Sequence, residues 1–222
     1  MDNGNLLALQ EITKTFPQNG TDKRSTVLHG INLNLKQGGR IGITGASGSG
    51  KTTLLHLIAG LEEPDSGRIL IDGKAVTDKG SIIPPHKRGI GYVFQTSALW
   101  PHMTVEENIR YPARNGKIDL DGFMDAFEIS DIAKRYPSQI SGGQARRAAI
   151  VRAFASGAKL ILMDEPMSSL DSGLKTNILK VLAEHLERTQ TGLVYVTHDE
   201  GELPYIAAQC YRIAGGGLCE VR

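Results

Sequence analysis

The run Gly45-Ala46-Ser47-Gly48-Ser49-Gly50-Lys51-Thr52 fits the pattern G-x-x-x-x-G-K-[ST] in full. Its glycines let successive backbone N–H groups turn inward around phosphate oxygens. A helix starting at its end would add unpaired N–H groups and about half an elementary positive charge. Lys51 brings a mobile cation to the β- and γ-phosphates, and Thr52 offers a hydroxyl to Mg²⁺. A Gly/Ser turn that only redirects the chain is the alternative, but such a turn does not ordinarily place Lys-Thr at a helix start. The motif alone specifies a nucleoside triphosphate. Further on, Leu160-Ile161-Leu162-Met163 leads directly into Asp164-Glu165. A carboxylate at the end of a central strand points into the nucleotide crevice of an α/β sheet. Asp164 is suited to hold Mg²⁺ through water, and Glu165 to polarise an attacking water as a general base. Two solvated acids closing a strand are the other reading, which the phosphate loop upstream weighs against.

These groups need elements to position them, and β-like segments alternate with helix-like ones, an α/β pattern. Residues 6–12 and 31–35 read as strands, with residues 17–25, including Gly20, as a loop or hairpin tip between them. Residues 40–44 form a short strand before the phosphate loop, and 51–61 a helix with Gly60 near its end. A strand over 67–71 runs into an Asp72-Gly73 turn, and 90–94 is a further strand. From about 97 to 155 the chain turns helical: Thr104 and Glu107 have capping-box spacing, and helices follow over 119–127 and 144–154. Residues 160–163 read as a buried parallel strand. Leu174, Ile178, Val181, Leu182 and Leu186 have helical spacing, and 193–196 is the last apolar strand. With no internal repeat or low-complexity linker, residues 1–222 read as one domain with a helical insertion.

Composition excludes several classes. The chain has 222 residues, 40% of them hydrophobic and 22% charged, which is ordinary globular usage rather than disordered or fibrous. Lys and Arg number 25 against 24 Asp and Glu, so no general electrostatic case exists for nucleic acid or an anionic membrane. Cys210 and Cys219 exclude a disulfide framework and read as reduced thiols. The apolar runs are too short for a bilayer of ~30 Å, and the first residues do not form a signal peptide.

Ser141-Gly142-Gly143-Gln144 completes the set. With the two sites above, in the same order, it closely resembles the signature of ATP-binding-cassette (ABC) ATPases, and the resemblance covers essentially the whole chain. Ile140 stands where that signature usually has Leu. The resemblance implies an α/β fold: a P-loop NTPase core of ABC ATPase type, with an N-terminal antiparallel β subdomain and an inserted α-helical subdomain at about 97–155. It implies ATP and Mg²⁺ as cofactors, with ATP held by Gly45, Ala46, Ser47, Gly48, Ser49, Gly50, Lys51, Thr52 and Thr53. Phe16 resembles the aromatic residue that stacks on adenine, with a core aromatic as the alternative. Gln95, ending Gly91-Tyr92-Val93-Phe94-Gln95, resembles the glutamine that senses Mg²⁺ and the attacking water. His198 is similar to the switch histidine that contacts the γ-phosphate, and Ser168-Ser169-Leu170-Asp171 to the loop through which two subunits communicate. The implied catalytic set is Glu165, His198, Gln95 and Lys51, and the metal set is Thr52, Gln95 and Asp164.

Ser141 and the glycines stand at another helix start, a second place for a γ-phosphate on a chain that already has one. In the family the signature of one subunit faces the phosphate loop of another. That implies a head-to-tail dimer, a homodimer or a pair with a related subunit, which ATP closes and hydrolysis opens. Such ATPases usually drive integral membrane permeases from the cytoplasmic face of the inner membrane, and residues 97–104 would line part of the groove for a permease helix. Trp100 reads equally as core packing or as a partner contact. The runs Pro84-Pro85-His86-Lys87-Arg88-Gly89 and Leu99-Trp100-Pro101-His102-Met103-Thr104 are similar to those of bacterial binding-protein-dependent importers, which adds a solute-binding protein to the implied partners. An exporter ATPase and a soluble cassette ATPase of repair, translation or cluster assembly are the alternatives. A non-hydrolysing module would have a damaged site, which this one is not. The C-terminal regulatory domain of many sugar, iron and polyamine importers is not expected. Gly201 and Pro204 predict a short or kinked helix after His198.

Overall fold

The computed structural model describes residues 4–18, 23–78, 81–113, 118–168 and 170–221. Strands β1 (Asn5–Pro17) and β2 (Arg24–Lys36) form a long antiparallel hairpin that pairs from Asn5 with Lys36 out to Pro17 with Arg24. The hairpin tip is therefore shorter than the 17–25 loop expected, and residues 19–22, Gly20 among them, lie outside the described residues. After β3 (Arg40–Thr44) and α1 (Lys51–Ala59) come β4 (Ser66–Ile71), β5 (Lys74–Asp78) and β6 (Ser81–Ile82). The first sheet is antiparallel with strand order β2-β1-β4-β5-β6. The remaining elements are β7 (Ile90–Val93), α2 (Val105–Arg110), α3 (Leu120–Ala126), α4 (Gly142–Ala155), β8 (Leu160–Asp164), α5 (Ser172–Thr189), β9 (Gly192–Val196), α6 (Leu203–Ile206), β10 (Gln209–Ala214) and β11 (Gly217–Val221).

The second sheet has the order β11-β10-β3-β9-β8-β7. All neighbours from β10 to β7 are parallel, and β11 returns antiparallel along β10. Strand 193–196 is thus not the last: β10 and β11 follow it and extend the sheet on the far side of β3. Every residue of β8 and β9 is buried, as a parallel strand covered on both faces requires. Alternation then sorts the side chains between two cores. Leu160, Leu162, Val194 and Val196 join Leu54, Leu57 and Ile58 of α1 and the apolar face of the β1–β2 hairpin. Ile161, Met163, Leu193 and Tyr195 join Phe154 of α4, Leu182 of α5 and the aromatic pair Phe123 and Phe127.

Helix ends fix where the loops go. Thr104 accepts from the Glu107 N–H at 3.2 Å while the Glu107 carboxylate accepts from the Thr104 N–H at 2.7 Å, so the capping box is formed. The far end of α1 is held by Arg88, which donates to the carbonyls of Leu57 and Ile58 at 3.1 and 2.8 Å. That fixes the axis of the helix whose other end is the phosphate loop. Beyond β9, a 3₁₀ turn and the four-residue α6 with Pro204 near its start make the short helix expected there.

His185 of α5 lies between the ring edges of Phe123 and Phe154, with centroids 4.8 and 5.4 Å away. It is 5% exposed, and burial, aided by Arg188, pushes its pKa from 6.5 down to about 4. The fold therefore keeps the ring neutral while the unfolded chain takes up a proton below pH 6.5, so stability falls as pH drops through that window towards 4. Urea unfolding should show this group removing roughly 2 kcal/mol between pH ~7 and pH ~4.5. His185→Phe should flatten the slope; an unchanged slope would remove the assignment.

Candidate functional site

The phosphate loop joins the C-terminal end of β3 to the N-terminus of α1. Gly50 caps the helix at φ 103°, a conformation L side chains rarely adopt, and a Cβ there would meet Val27 and Leu28 at 2.9 Å. At Gly45 a Cβ would lie 2.7 Å from the Ile213 carbonyl oxygen. No side chain caps α1, so its first N–H groups face the loop without an intrahelical partner. Lys51 bends back over the same loop, donating to the carbonyls of Gly45 and Ala46 at 2.8 and 2.9 Å.

A cavity of about 400 Å³ opens over this loop. Ser47, Gly48, Gly50, Lys51, Thr52 and Thr53 line its floor, and Phe16 and Val27 one side. Gln95 and Glu165 line it as well. Phe16, the phosphate loop, Gln95 and Glu165 are thus brought to one cavity from distant parts of the chain. Lys14 Nζ sits 5.0 Å from the Phe16 ring centroid. Asp164 lies deeper, 2% exposed and hydrogen-bonded by the Thr52 hydroxyl. Burial pushes its carboxyl up, while that hydroxyl pulls it down. The donor set for a cation is one buried carboxylate beside one hydroxyl. It fits Mg²⁺, which keeps several waters and takes phosphate oxygens.

Glu165 has φ 47°, a left-handed conformation that costs a non-glycine residue roughly 1–2 kcal/mol. Its N–H donates to the Val196 carbonyl at 2.9 Å, and its carboxylate is 3.3 Å from His198 Nδ1. His198 lines a second cleft, of about 510 Å³, on the other side of the loop with Thr44, Gly45 and Ser49. Its loop is braced by Lys175 of α5, which pairs with Asp199 at 2.8 Å and Glu202 at 2.9 Å, and Tyr195 donates to Glu202 at 2.7 Å.

The signature sits apart from this cluster. None of Ser141, Gly142, Gly143 and Gln144 lines the cavity. Ser141 caps α4 with a reciprocal box: its Oγ accepts from the Gln144 N–H at 3.2 Å, and Gln144 Oε1 accepts from the Ser141 N–H at 3.0 Å. The box occupies two N–H groups and leaves those of Gly142 and Gly143 at the helix start. Asp171 caps α5, accepting from the Leu174 N–H at 2.9 Å, and Ser169 before it lies outside the described residues.

One residue near the site was missed. Arg146 of α4 is 5% exposed and reaches the ends of both β7 and β8. It had a sequence signal: a cation at i before Ala149, Ile150 and Ala153 stands on the buried stripe of its helix.

The ABC transporter family profile matches residues 28–168. The chain belongs to the ABC transporter family. Among curated relatives of this ABC chain, the Fe(3+) ions import ATP-binding protein of Mesorhizobium japonicum is 42% identical over 200 residues, covering 87% of this chain and 55% of that protein. The protein of the same description from Yersinia enterocolitica is 41% identical, covering 88% and 57%. The chain spans little more than half the length of the curated relatives it matches. Among solved structures, a dimeric bacterial ABC transporter cassette superposes with TM-score 0.85 at 30% identity, covering 97% of this chain and 99% of that one. A dimeric post-hydrolysis cassette bound to ADP and Pi gives 0.84 with the same identity and coverage. The fold is the ABC ATPase cassette, with the antiparallel sheet and helical segment that the sequence implied.

Proposed function

We propose that this chain is the ATP-binding and ATP-hydrolysing subunit of an ABC importer, one cassette over 1–222 with its helical insertion at about 97–155. Two copies would close head-to-tail over two ATP molecules. The observation that carries this reading is the division of the site: the phosphate loop, Gln95 and Glu165 share one cavity, while the signature lines no part of it. A second chain is what brings a signature to that cavity. The dimeric cassettes among the solved structures and the import role in the relatives' names support it.

Phe16 takes the adenine face, and Val27 extends the apolar wall. The loop N–H groups and Lys51 hold the phosphates. Thr52 and Asp164 would hold Mg²⁺, with Gln95 at the cavity wall completing the set. When bound, the ion neutralises charge on the β- and γ-phosphate oxygens. Glu165 takes the proton of the attacking water, and Gln95 orients that water. His198 points Nδ1 at Glu165, leaving Nε2 for the γ-phosphate. Asp171, at the start of α5, faces the second subunit.

Among the described residues no helix is long and apolar enough to cross a membrane. Transport therefore assigns the crossing to permease chains, with a solute-binding protein delivering cargo from outside and this subunit docked on the cytoplasmic face. Trp100 is 36% exposed and stands edge-on to Tyr111, 67% exposed, at 5.0 Å. Arg152 holds it from behind, 4.7 Å from the ring and bonded to the Ala98 carbonyl at 2.9 Å. Both aromatics line a cleft of about 560 Å³, and we assign them to the permease contact. Trp100→Ala should weaken co-purification of the membrane partner by about tenfold or more, the effect of losing an aromatic anchor, and leave ATP binding unchanged. Equal recovery of the partner would remove this face from the interface.

The test of the transporter reading is to tag the chain and identify what accompanies it from gently solubilised native membranes. A polytopic membrane protein with a solute-binding protein supports import. Recovery of soluble proteins alone would contradict it.

A further inference from the structure

Arg146 is a buried charge beside the catalytic strand ends that the mechanism above leaves unused. It lies on α4, five residues after Ser141, so it rides on the helix whose start is the signature. Its guanidinium is surrounded by acceptors from the catalytic strand ends, and among the described residues no carboxylate forms a salt bridge with it. Nη1 donates to the Phe94 carbonyl, the residue before Gln95. Nη2 donates to the Glu165 carbonyl at 3.0 Å and to Ser168 Oγ at 2.8 Å. The Ser168 hydroxyl donates in turn to the same Glu165 carbonyl at 3.0 Å. The fork thus ties three backbone segments together: the end of β7, the end of β8, and the turn that leads towards Asp171.

Two features give that contact a purpose beyond packing. Glu165 holds a left-handed backbone that its own conformational preference resists. Among the described residues, the Val196 carbonyl holds its N–H, and Arg146 with the hydroxyl and N–H of Ser168 holds its carbonyl. A planar fork with several fixed donors can hold separate carbonyls at set angles, which a lysine ammonium cannot.

We propose that Arg146 is a positioning residue for hydrolysis, through which the signature helix sets both the general-base loop and the segment carrying Gln95. The proposal rests on the head-to-tail ATPase reading. A nucleotide bound by the partner subunit's loop would seat on the start of α4, and displacement of α4 would move Glu165 and Gln95 of the same chain together. ATP at one site thereby readies the catalytic groups of the other.

The test uses the full chain with Arg146→Met, Arg146→Lys and Ser168→Ala. Binding of a fluorescent ATP analogue, steady-state kcat and KM, and thermal melting are measured for each. Misplacement of the base and water-orienting groups should lower kcat of Arg146→Met by about 10²-fold, with analogue binding within about threefold of wild type. Arg146→Lys, which keeps the charge and part of the bonding, should recover about a tenth of wild-type kcat. Ser168→Ala, which removes the hydroxyl's bonds from Arg146 and to the Glu165 carbonyl but leaves the Arg146 fork on both strand ends, should lose about threefold in kcat. A kcat for Arg146→Met within twofold of wild type would overturn the proposal, as would equal losses of binding and turnover. If Arg146→Met does not fold, unchanged kcat in both Arg146→Lys and Ser168→Ala overturns it. A wild-type chain with no ATPase activity at all defeats the ATPase reading itself, and the proposal falls with it.

Discussion

Glu165→Gln should bind ATP as wild type does and fail to turn it over, with kcat lower by ~10²–10⁴. The substitution keeps the shape of the side chain and both of its backbone anchors, the bonds to Val196 and from Arg146. It removes the carboxylate that stands 3.3 Å from His198 Nδ1 and lines the cavity beside the phosphate loop. An amide cannot take a proton from water, so the loss falls on the chemical step rather than on binding. ATP that is bound but not cleaved should hold two chains together, and size-exclusion chromatography with light scattering should show twice the monomer mass only when MgATP is present. Phosphate release at the wild-type rate would remove Glu165 as the general base.

The second large effect is at the phosphate loop. Lys51→Ala should weaken ATP binding by roughly 10²-fold, the equivalent of losing a charge-assisted hydrogen bond of about 2–3 kcal/mol. Lys51 is buried, and its ammonium already lies over the loop, on the Gly45 and Ala46 carbonyls. It has only to exchange those acceptors for phosphate oxygens. Those carbonyls belong to a turn set by glycines, so the cradle should keep its shape without them. Titration calorimetry with ATP would measure the loss. A dissociation constant within about threefold of wild type would contradict the role given to Lys51.

The sites were legible because their chemistry is local in sequence. The phosphate loop, the acids after β8 and the signature are each contiguous, and the elements flanking them have strong patterns. The capping box at Thr104 marks a helix start from four residues alone. The missed strands show the opposite case. β5 is mostly polar, with only Val76 and Thr77 buried. β10 has a single buried residue, Ile213, because it lies next to the sheet edge formed by β11. Neither presents the alternation that a half-buried strand would. Long-range fasteners were equally hidden: Arg88 bonds to Leu57 and Arg146 to Phe94, pairings that only the folded chain creates. The separation of His198 into its own cleft, joined to the main cavity through Glu165, also follows from topology, since β9 lies between β3 and β8.

The account stands or falls on the composite site, and mixing two disabled chains tests it most directly. Lys51→Ala lacks the phosphate-loop cation, and Ser141→Arg blocks the signature. In a head-to-tail dimer neither variant alone has a complete site. A mixed pair joins the intact loop of one chain to the intact signature of the other. Equal mixing should therefore raise ATPase activity above that of either variant, to at most about a quarter of wild type, since half the dimers are mixed and each holds one complete site without the readying ATP at the other. A mixture as inactive as its components, or full activity in Ser141→Arg alone, would contradict the account.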